Sequence, residues 1–192
     1  MSLNNFKYFI LNKPYGVLSQ FTDKEGRKTL SDIYKFPKDV YSVGRLDMDS
    51  EGLLLLTNDK GLTDFLLNPV FEHEKEYYVQ VEGIPQESSL EKLRNGLFIN
   101  GRKTLSSKVR EIDEPDFPNR IPPIRARKNI PTSWLSISIT EGRNRQVRKM
   151  TAQIGHPTLR LVRVRIKNLL IDGLPPGTIR KLDSREIDEL KK

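Results

Sequence analysis

Residues 43–59 read VGRLDMDSEGLLLLTND, and they carry the clearest structural signal in this chain of 192 residues. Residues 52–57 predict a buried strand, because a short apolar run that ends in turn-forming residues is typical of one. The loop before this strand carries an arginine and three carboxylates: Arg45, Asp47, Asp49 and Glu51. A loop held by a rigid strand is a good place for a catalytic aspartate, but composition alone favours carboxylates that satisfy turn backbone or face water.

Apolar patterns on both sides of this segment predict an α+β fold. Alternation and short apolar runs predict strands at 6–11, 77–81, 108–112, 134–139 and 158–166. Apolar residues at helical spacing predict helices within 61–67, 88–97, 144–154 and 183–190. Strands outnumber helices without a βαβ rhythm, so we expect a largely antiparallel sheet.

Three of these segments carry further predictions. Ser88 or Ser89 is expected to cap the second helix, and Asn144 the third. The last long strand alternates leucines with arginines, which predicts an exposed basic face. Residues 113–132 contain five prolines and predict a long irregular loop, a kind of loop that is often functional or mobile.

The residue inventory excludes several kinds of chemistry. Without cysteine the chain has no disulfide, no thiolate-ligated metal and no thiol nucleophile. His73 and His156 stand in no metal-ligand spacing, and neither GxxxxGK[S/T] nor GxGxxG occurs. No apolar run is long enough to cross a membrane and no secretion signal is visible, so we expect a soluble, cytoplasmic chain. Any catalysis would rest on carboxylate, tyrosine, lysine or arginine.

The net charge of +8 is unevenly distributed along the chain. Residues 1–100 hold 12 basic and 15 acidic side chains, whereas residues 101–182 hold 18 basic and 6 acidic ones. Such a concentration of positive charge predicts an anionic partner. Nucleic acid is favoured over a membrane, because no strongly apolar helical face accompanies the charge. A solvated basic face is the alternative.

Four motifs follow one another along the chain. They are KPYGV at 13–17, GRLD at 44–47 with the apolar run that follows, KEY at 75–77 and EGRNRQVRKM at 141–150. Together they resemble the motifs of RNA pseudouridine synthases of the RsuA type. The resemblance implies the catalytic fold of that family, in which helices flank a largely antiparallel mixed sheet and two subdomains surround a basic cleft.

The same resemblance predicts how the chain is organised. Residues 1–192 are expected to form a single catalytic domain. Many relatives begin with a small S4-type RNA-binding domain, and the few residues before the first predicted strand leave no room for one. We therefore expect RNA recognition by the catalytic domain itself.

The resemblance further implies a reaction, the conversion of one specific uridine of 23S ribosomal RNA to pseudouridine. Nothing in the sequence indicates a dedicated dimer interface, so we expect a monomer. This isomerisation breaks the N1–C1′ bond, turns the uracil and joins C5 to C1′, so it needs no cofactor and no metal. The uridine must leave its stack to react. One alternative is a non-catalytic RNA-binding or ribosome-assembly module, which needs no carboxylate in a basic cleft. Another is a nucleoside hydrolase, which would release uracil.

Roles for individual residues also follow from the resemblance. Asp47 acts as nucleophile or base at the ribose C1′ region, and Arg148 keeps its carboxylate ionised. Tyr77 stacks on the uracil and assists proton transfer, although a core strand tyrosine is the plain alternative. Arg45 fills the space that the flipped uridine leaves. The residues expected to hold the RNA backbone are Arg143, Arg145, Lys149, Arg160, Arg163 and Arg165. A further set on the proline-rich loop either reaches RNA outside the pocket or lies on a mobile surface: Arg125, Arg127 and Lys128.

Overall fold

A computed structural model of the chain describes residues 6–124 and 129–192, so Arg125, Arg127 and Lys128 of the proline-rich loop lie outside the described residues. In chain order the strands are β1 Tyr8–Lys13, β2 Tyr41–Ser42, β3 Glu51–Thr57, β4 Lys75–Glu82, β5 Phe98–Ile99, β6 Arg102–Lys103, β7 Lys108–Ile112, β8 Thr132–Ile139, β9 Thr158–Ile166, β10 Leu169–Leu170 and β11 Ile179–Lys181. The helices are α1 Lys60–Leu67, α2 Glu87–Asn95, α3 Gln146–Gln153 and α4 Ser184–Lys191. None of the described helices is long and apolar enough to span a membrane.

Nine of these strands form one mixed sheet, whose main order is β11-β1-β3-β9-β4-β8-β7. The short strands β2 and β10 extend it by pairing with β3 and β9, and β5 and β6 form a separate hairpin. The main strands pair antiparallel except for β3 and β9, which run parallel with Glu51 opposite Val162. The predicted α+β fold with a largely antiparallel sheet is therefore confirmed. Its division into two subdomains stays a prediction.

The leucine run of β3 lies at the centre of the molecule and is buried on both faces of the sheet. Each side chain from Leu53 to Leu56 is 0% exposed. Because strand side chains alternate, Leu54 and Leu56 pack into the core cluster that includes α2 and α3. Leu53 and Leu55 pack into the second cluster with α1 and α4. A strand covered on both faces needs such a continuous apolar run.

The exposed basic face predicted for β9 is wrong. Arg160 and Arg163 are only 6% and 4% exposed. The physical reason is position, because β9 lies between β3 and β4 in the middle of the sheet. On one face the ring of Phe117, from the proline-rich loop, lies 5.4 Å from the Arg160 guanidinium carbon. Alternation in the sequence cannot reveal this cover, since it comes from distant parts of the chain.

The start of α3 also differs from the prediction. Asn144 does not cap it: the N-cap residue is Arg145, in the left-handed region with φ of 53°, and no side chain caps the helix. The first helical residue, Gln146, instead donates from Nε2 to Glu141 Oε1 at 2.6 Å. Likewise α2 begins after Gln86, so the serines predicted as caps lie inside its first turn.

Gly52 permits the close approach of β3 to β9. Its φ is +107°, and a Cβ atom there would lie 2.3 Å from the carbonyl oxygen of Arg163. We therefore expect Gly52→Ala to lower the free energy of unfolding by about 2–3 kcal/mol, as measured by urea unfolding. Gly142→Ala is the matched control, because a Cβ there meets no atom within 4 Å. Equal stability of the two variants would contradict this close packing.

Candidate active site

The loop that carries Asp47 is held by residues from the N-terminal part of the chain. The Ser19 hydroxyl donates to the Leu46 carbonyl at 2.7 Å and accepts from the Leu46 N–H at 3.0 Å. On the other side, the Gly16 N–H donates to the Met48 carbonyl at 2.8 Å. Because these bonds lie on both sides of Asp47, they fix its backbone just before β3.

Two arginines from the start of α3 face the carboxylates of this loop. Arg145 binds both oxygens of Asp49, at 2.8 and 2.7 Å, and its Nη1 lies 3.4 Å from Asp47 Oδ2. Arg148 Nε lies 3.4 Å from Asp49 Oδ2, and its Nη2 donates to the Asp49 backbone carbonyl. Among the described residues, the cation within ion-pair distance of Asp47 is thus Arg145, whereas the resemblance assigned that place to Arg148.

Asp49 serves as the anchor of the loop. Burial raises its pKa, but the hydrogen bonds from Arg145 and the charges of both arginines outweigh burial and hold the pKa below the usual value. The Asp47 carboxylate lies 3.4 Å from Arg145, farther than the 2.7 and 2.8 Å contacts of Asp49, and it lines the cleft in front of the loop. The geometry therefore leaves Asp47 available for chemistry.

The cleft has a volume of about 940 Å³. Six of the ten predicted site residues line it: Arg45, Asp47, Tyr77, Arg143, Arg145 and Arg163. Tyr77 reaches the cleft from β4 and at the same time belongs to the core, with 9% of its surface exposed. Its position therefore agrees with both the catalytic role and the core alternative. Four predicted residues do not line the cleft: Arg148, Lys149, Arg160 and Arg165.

Two of these outlying arginines are held in ion pairs across the sheet. Arg160 donates from Nε and Nη2 to the two carboxylate oxygens of Glu51, both at 2.9 Å, and both side chains are buried. Arg165 binds Glu76 at 2.8 Å and also pairs with Glu74. The predicted RNA contact of Arg160 requires an exposed side chain, which the structure does not provide.

The other predicted basic residues near α3 differ in their contacts. Arg143 binds the Glu141 carboxylate at 2.9 Å and the Arg102 carbonyl at 3.0 Å, so it ties the segment before α3 to the β5–β6 hairpin. Lys149 is half-buried and lies 3.4 Å from the side-chain oxygen of Asn144. Arg45 is exposed at the cleft.

Two lysines of the sequence motifs, Lys13 and Lys75, lie at the site although the sequence alone predicted no role for them. Lys13 is fully buried and donates to the Val17 carbonyl at 2.7 Å. Burial lowers its pKa to about 8, although the nearby carboxylates of the Asp47 loop oppose this shift. Lys75 lines the cleft, and burial and the charge of Arg163 lower its pKa. Their place inside the motifs is the signal that could have revealed them.

The cleft offers an accessible carboxylate, a tyrosine ring and several arginines. A carboxylate can attack or deprotonate a sugar, a tyrosine can stack on a base, and arginines can bind phosphates. This set suits a reaction at a nucleotide of an anionic polymer. Within residues 6–124 and 129–192, no group of three His, Cys, Asp or Glu side chains is placed to hold a metal ion.

The fold of this chain is similar to that of a solved enzyme. A crystal structure described as a pseudouridylate synthase superposes with a TM-score of 0.81 at 27% identity, and the match covers 99% of this chain and 76% of that one. The family model for RNA pseudouridylate synthase matches residues 7–153. The chain therefore belongs to the RNA pseudouridylate synthase family, whose members are isomerases. This confirms the family that the sequence motifs indicated.

Two named relatives resemble the chain over most of its length. It is 56% identical to ribosomal large subunit pseudouridine synthase E of Vibrio parahaemolyticus, over 92% of this chain and 74% of that protein. It is 52% identical to the protein of the same name from Xanthomonas axonopodis pv. citri, over 87% of this chain and 89% of that protein.

Proposed function

We propose that this chain converts one uridine of 23S ribosomal RNA to pseudouridine in the cleft that contains Asp47. The observation that carries the proposal is the Asp47 carboxylate, which lines a cleft rimmed by arginines and shared with Tyr77. The relatives named above act, by their names, on the large ribosomal subunit, and this supports the choice of RNA.

Asp47 acts at the ribose C1′ region, as nucleophile or as base. The N1–C1′ bond breaks and its electron pair stays with the uracil. The ring then turns, and C5 joins C1′. The proton leaves C5 and N1 gains one, so the reaction is an isomerisation with no net gain or loss of atoms or electrons. Arg145 Nη1 lies 3.4 Å from Asp47 Oδ2, close enough to orient the carboxylate that both roles use.

The target uridine enters the cleft by leaving its base stack, at a cost of a few kcal/mol. Arg45, which is exposed at the cleft, is placed to occupy the vacated position. Arg143, Arg145 and Lys149 contact the RNA backbone around the cleft. We assign Arg160 and Arg165 to the structure of the sheet, because glutamates already bind both.

We propose that the protein acts as a monomer. The proposed ribosomal RNA substrate supports a cytoplasmic location. The experiment that tests the proposal is to map pseudouridine in 23S RNA from cells that lack the protein. One missing site, restored by the wild-type gene, is expected. A full set of modified sites in the deletion strain would overturn the proposal.

Purified protein separates the proposal from its two alternatives. Ribosomal RNA labelled with tritium at uridine C5 should release tritium while the uracil stays attached. An RNA-binding or assembly module would bind the RNA without release. A nucleoside hydrolase would release free uracil.

The contact of Lys149 with RNA phosphate can be tested through salt dependence. Each cation that neutralises a phosphate makes binding weaken more steeply as salt rises. We expect Lys149→Gln to weaken RNA binding and to lower the slope of log Kd against log salt by about 1. Arg185→Gln, on exposed α4, is the matched control and should leave both unchanged. An unaltered slope in Lys149→Gln would show that Lys149 does not contact an RNA phosphate.

A further inference from the structure

Two cations flank Tyr77 on the face of the sheet that lines the cleft. Lys75 precedes Tyr77 by two residues on β4, so both side chains point to the same face. Arg163 is the register partner of Tyr77 on β9. The side chains of Lys75, Tyr77 and Arg163 all line the cleft. A base stacked on the Tyr77 ring would therefore have both cations within reach.

Neither cation has a carboxylate partner among the described residues. Arg163 donates from Nε to the Leu53 carbonyl at 2.8 Å, and one of its terminal nitrogens is buried without a hydrogen-bond partner. Lys75 donates to the His73 carbonyl at 3.1 Å. Arg160, a neighbour on the same strand, is equally buried but bound to both oxygens of a glutamate. A buried cation without a counter-ion is costly to keep.

The charge balance around the cleft favours an anionic ligand at this position. Asp49 is paired with Arg145 and Arg148, and Glu51 is paired with Arg160. Asp47 is the remaining carboxylate of the loop, and three cations lie on the sheet side of it: Lys13, Lys75 and Arg163. The sheet side of the cleft thus carries more positive than negative charge. The lowered pKa of Lys75, caused by burial and by Arg163, agrees with this excess.

The proposed reaction creates an anion at this place. When the N1–C1′ bond breaks heterolytically, the electron pair goes to N1 and spreads to the two carbonyl oxygens of the uracil. We propose that Lys75 and Arg163 bind these oxygens and stabilise the uracil anion while it is detached from the sugar, an inference that rests on the proposed function. The interaction is stronger with the anion than with neutral uracil, so it lowers the barrier to bond cleavage rather than tightening RNA binding.

The balance of the step is complete without a further reactant. The bond to C1′ breaks with both electrons on the uracil, and the two cations hold this charge by hydrogen bonds without giving up a proton. The charge on the ring is consumed when C5 forms its bond to C1′. The cations are then again unpaired, ready for the next substrate.

The test compares uridine with 5-fluorouridine at the target position of the RNA. Fluorine withdraws electrons, so 5-fluorouracil is a better leaving group and needs less help from the protein. For Lys75→Met we expect the single-turnover rate of N1–C1′ cleavage to fall by about 100-fold with uridine. With 5-fluorouridine the loss should be several times smaller. RNA affinity should stay unchanged, and Lys75→Arg should recover part of the rate.

Each outcome of this comparison has one meaning. Equal losses on both substrates, or a loss of RNA affinity alone, would overturn the inference, and the second result would indicate binding of an RNA phosphate instead. Arg185→Gln on α4 is the control for general loss of positive charge. If wild-type protein forms no pseudouridine, the proposed function fails, which is distinguishable from a failure confined to Lys75.

Discussion

Asp47→Asn is expected to abolish pseudouridine formation, with a fall in rate of more than about 10⁴-fold, while the protein still folds and binds RNA. Removing a reacting group of this kind typically costs that much, because the amide can neither attack the ribose nor accept its proton. The loop should keep its shape, since the bonds that hold it come from the backbone next to Asp47 and from Ser19. Tritium release from C5-labelled RNA measures the rate.

The control for this variant is Asp64→Asn, which removes a carboxylate from the exposed side of α1. It should release tritium at the wild-type rate. Asp47→Asn must also match wild type in its unfolding midpoint and in its Kd for RNA. Substantial turnover by a folded Asp47→Asn protein would show that Asp47 is not the reacting group. The other carboxylates of the loop would then be the next candidates.

Arg160→Met is expected to destabilise the fold by about 3–5 kcal/mol without a specific effect on RNA binding. Both partners of the Arg160–Glu51 pair are buried, at 7% and 6% side-chain exposure. Removing one of them leaves the other as an uncompensated buried charge, and this is where the cost arises. Urea unfolding measures the loss, and Glu51→Gln should show a loss of the same kind.

The double variant Glu51→Leu/Arg160→Met tests whether the loss of stability comes from the unpaired buried charge. It removes both charges, so it is expected to be more stable than Arg160→Met alone. A contradictory result would be an Arg160→Met protein with wild-type stability and weakened RNA binding. That outcome would indicate that Arg160 contacts RNA, as its sequence pattern predicted.

Local patterns predicted most of the elements because their causes are local. The four leucines of β3 are a continuous run since both faces are covered, and the alternation in β4 and β8 marks the faces of the sheet. The exposure of β9 was predicted wrongly, because a strand looks the same in sequence at an edge and at the centre. Only the order β3-β9-β4 decides this, and that order joins parts of the chain more than 75 residues apart.

The site shows the same division between local and distant causes. The motif residues Asp47 and Tyr77 do line one cleft, as the resemblance implied. The resemblance paired Asp47 with Arg148, whereas Arg145 is the arginine that the described residues place within ion-pair distance of it, because α3 begins at Gln146 and leaves Arg145 in a left-handed turn beside the loop. The Glu51–Arg160 pair spans 109 residues, and no spacing in the sequence signals such a contact.

The most direct test of the central claim is nucleoside analysis of 23S RNA fragments after one turnover with the purified wild-type chain. The account predicts one pseudouridine per RNA, formed at the expense of one uridine, with no free uracil and none of this change with Asp47→Asn. RNA that is bound but unmodified, or uracil released from the RNA, would contradict it.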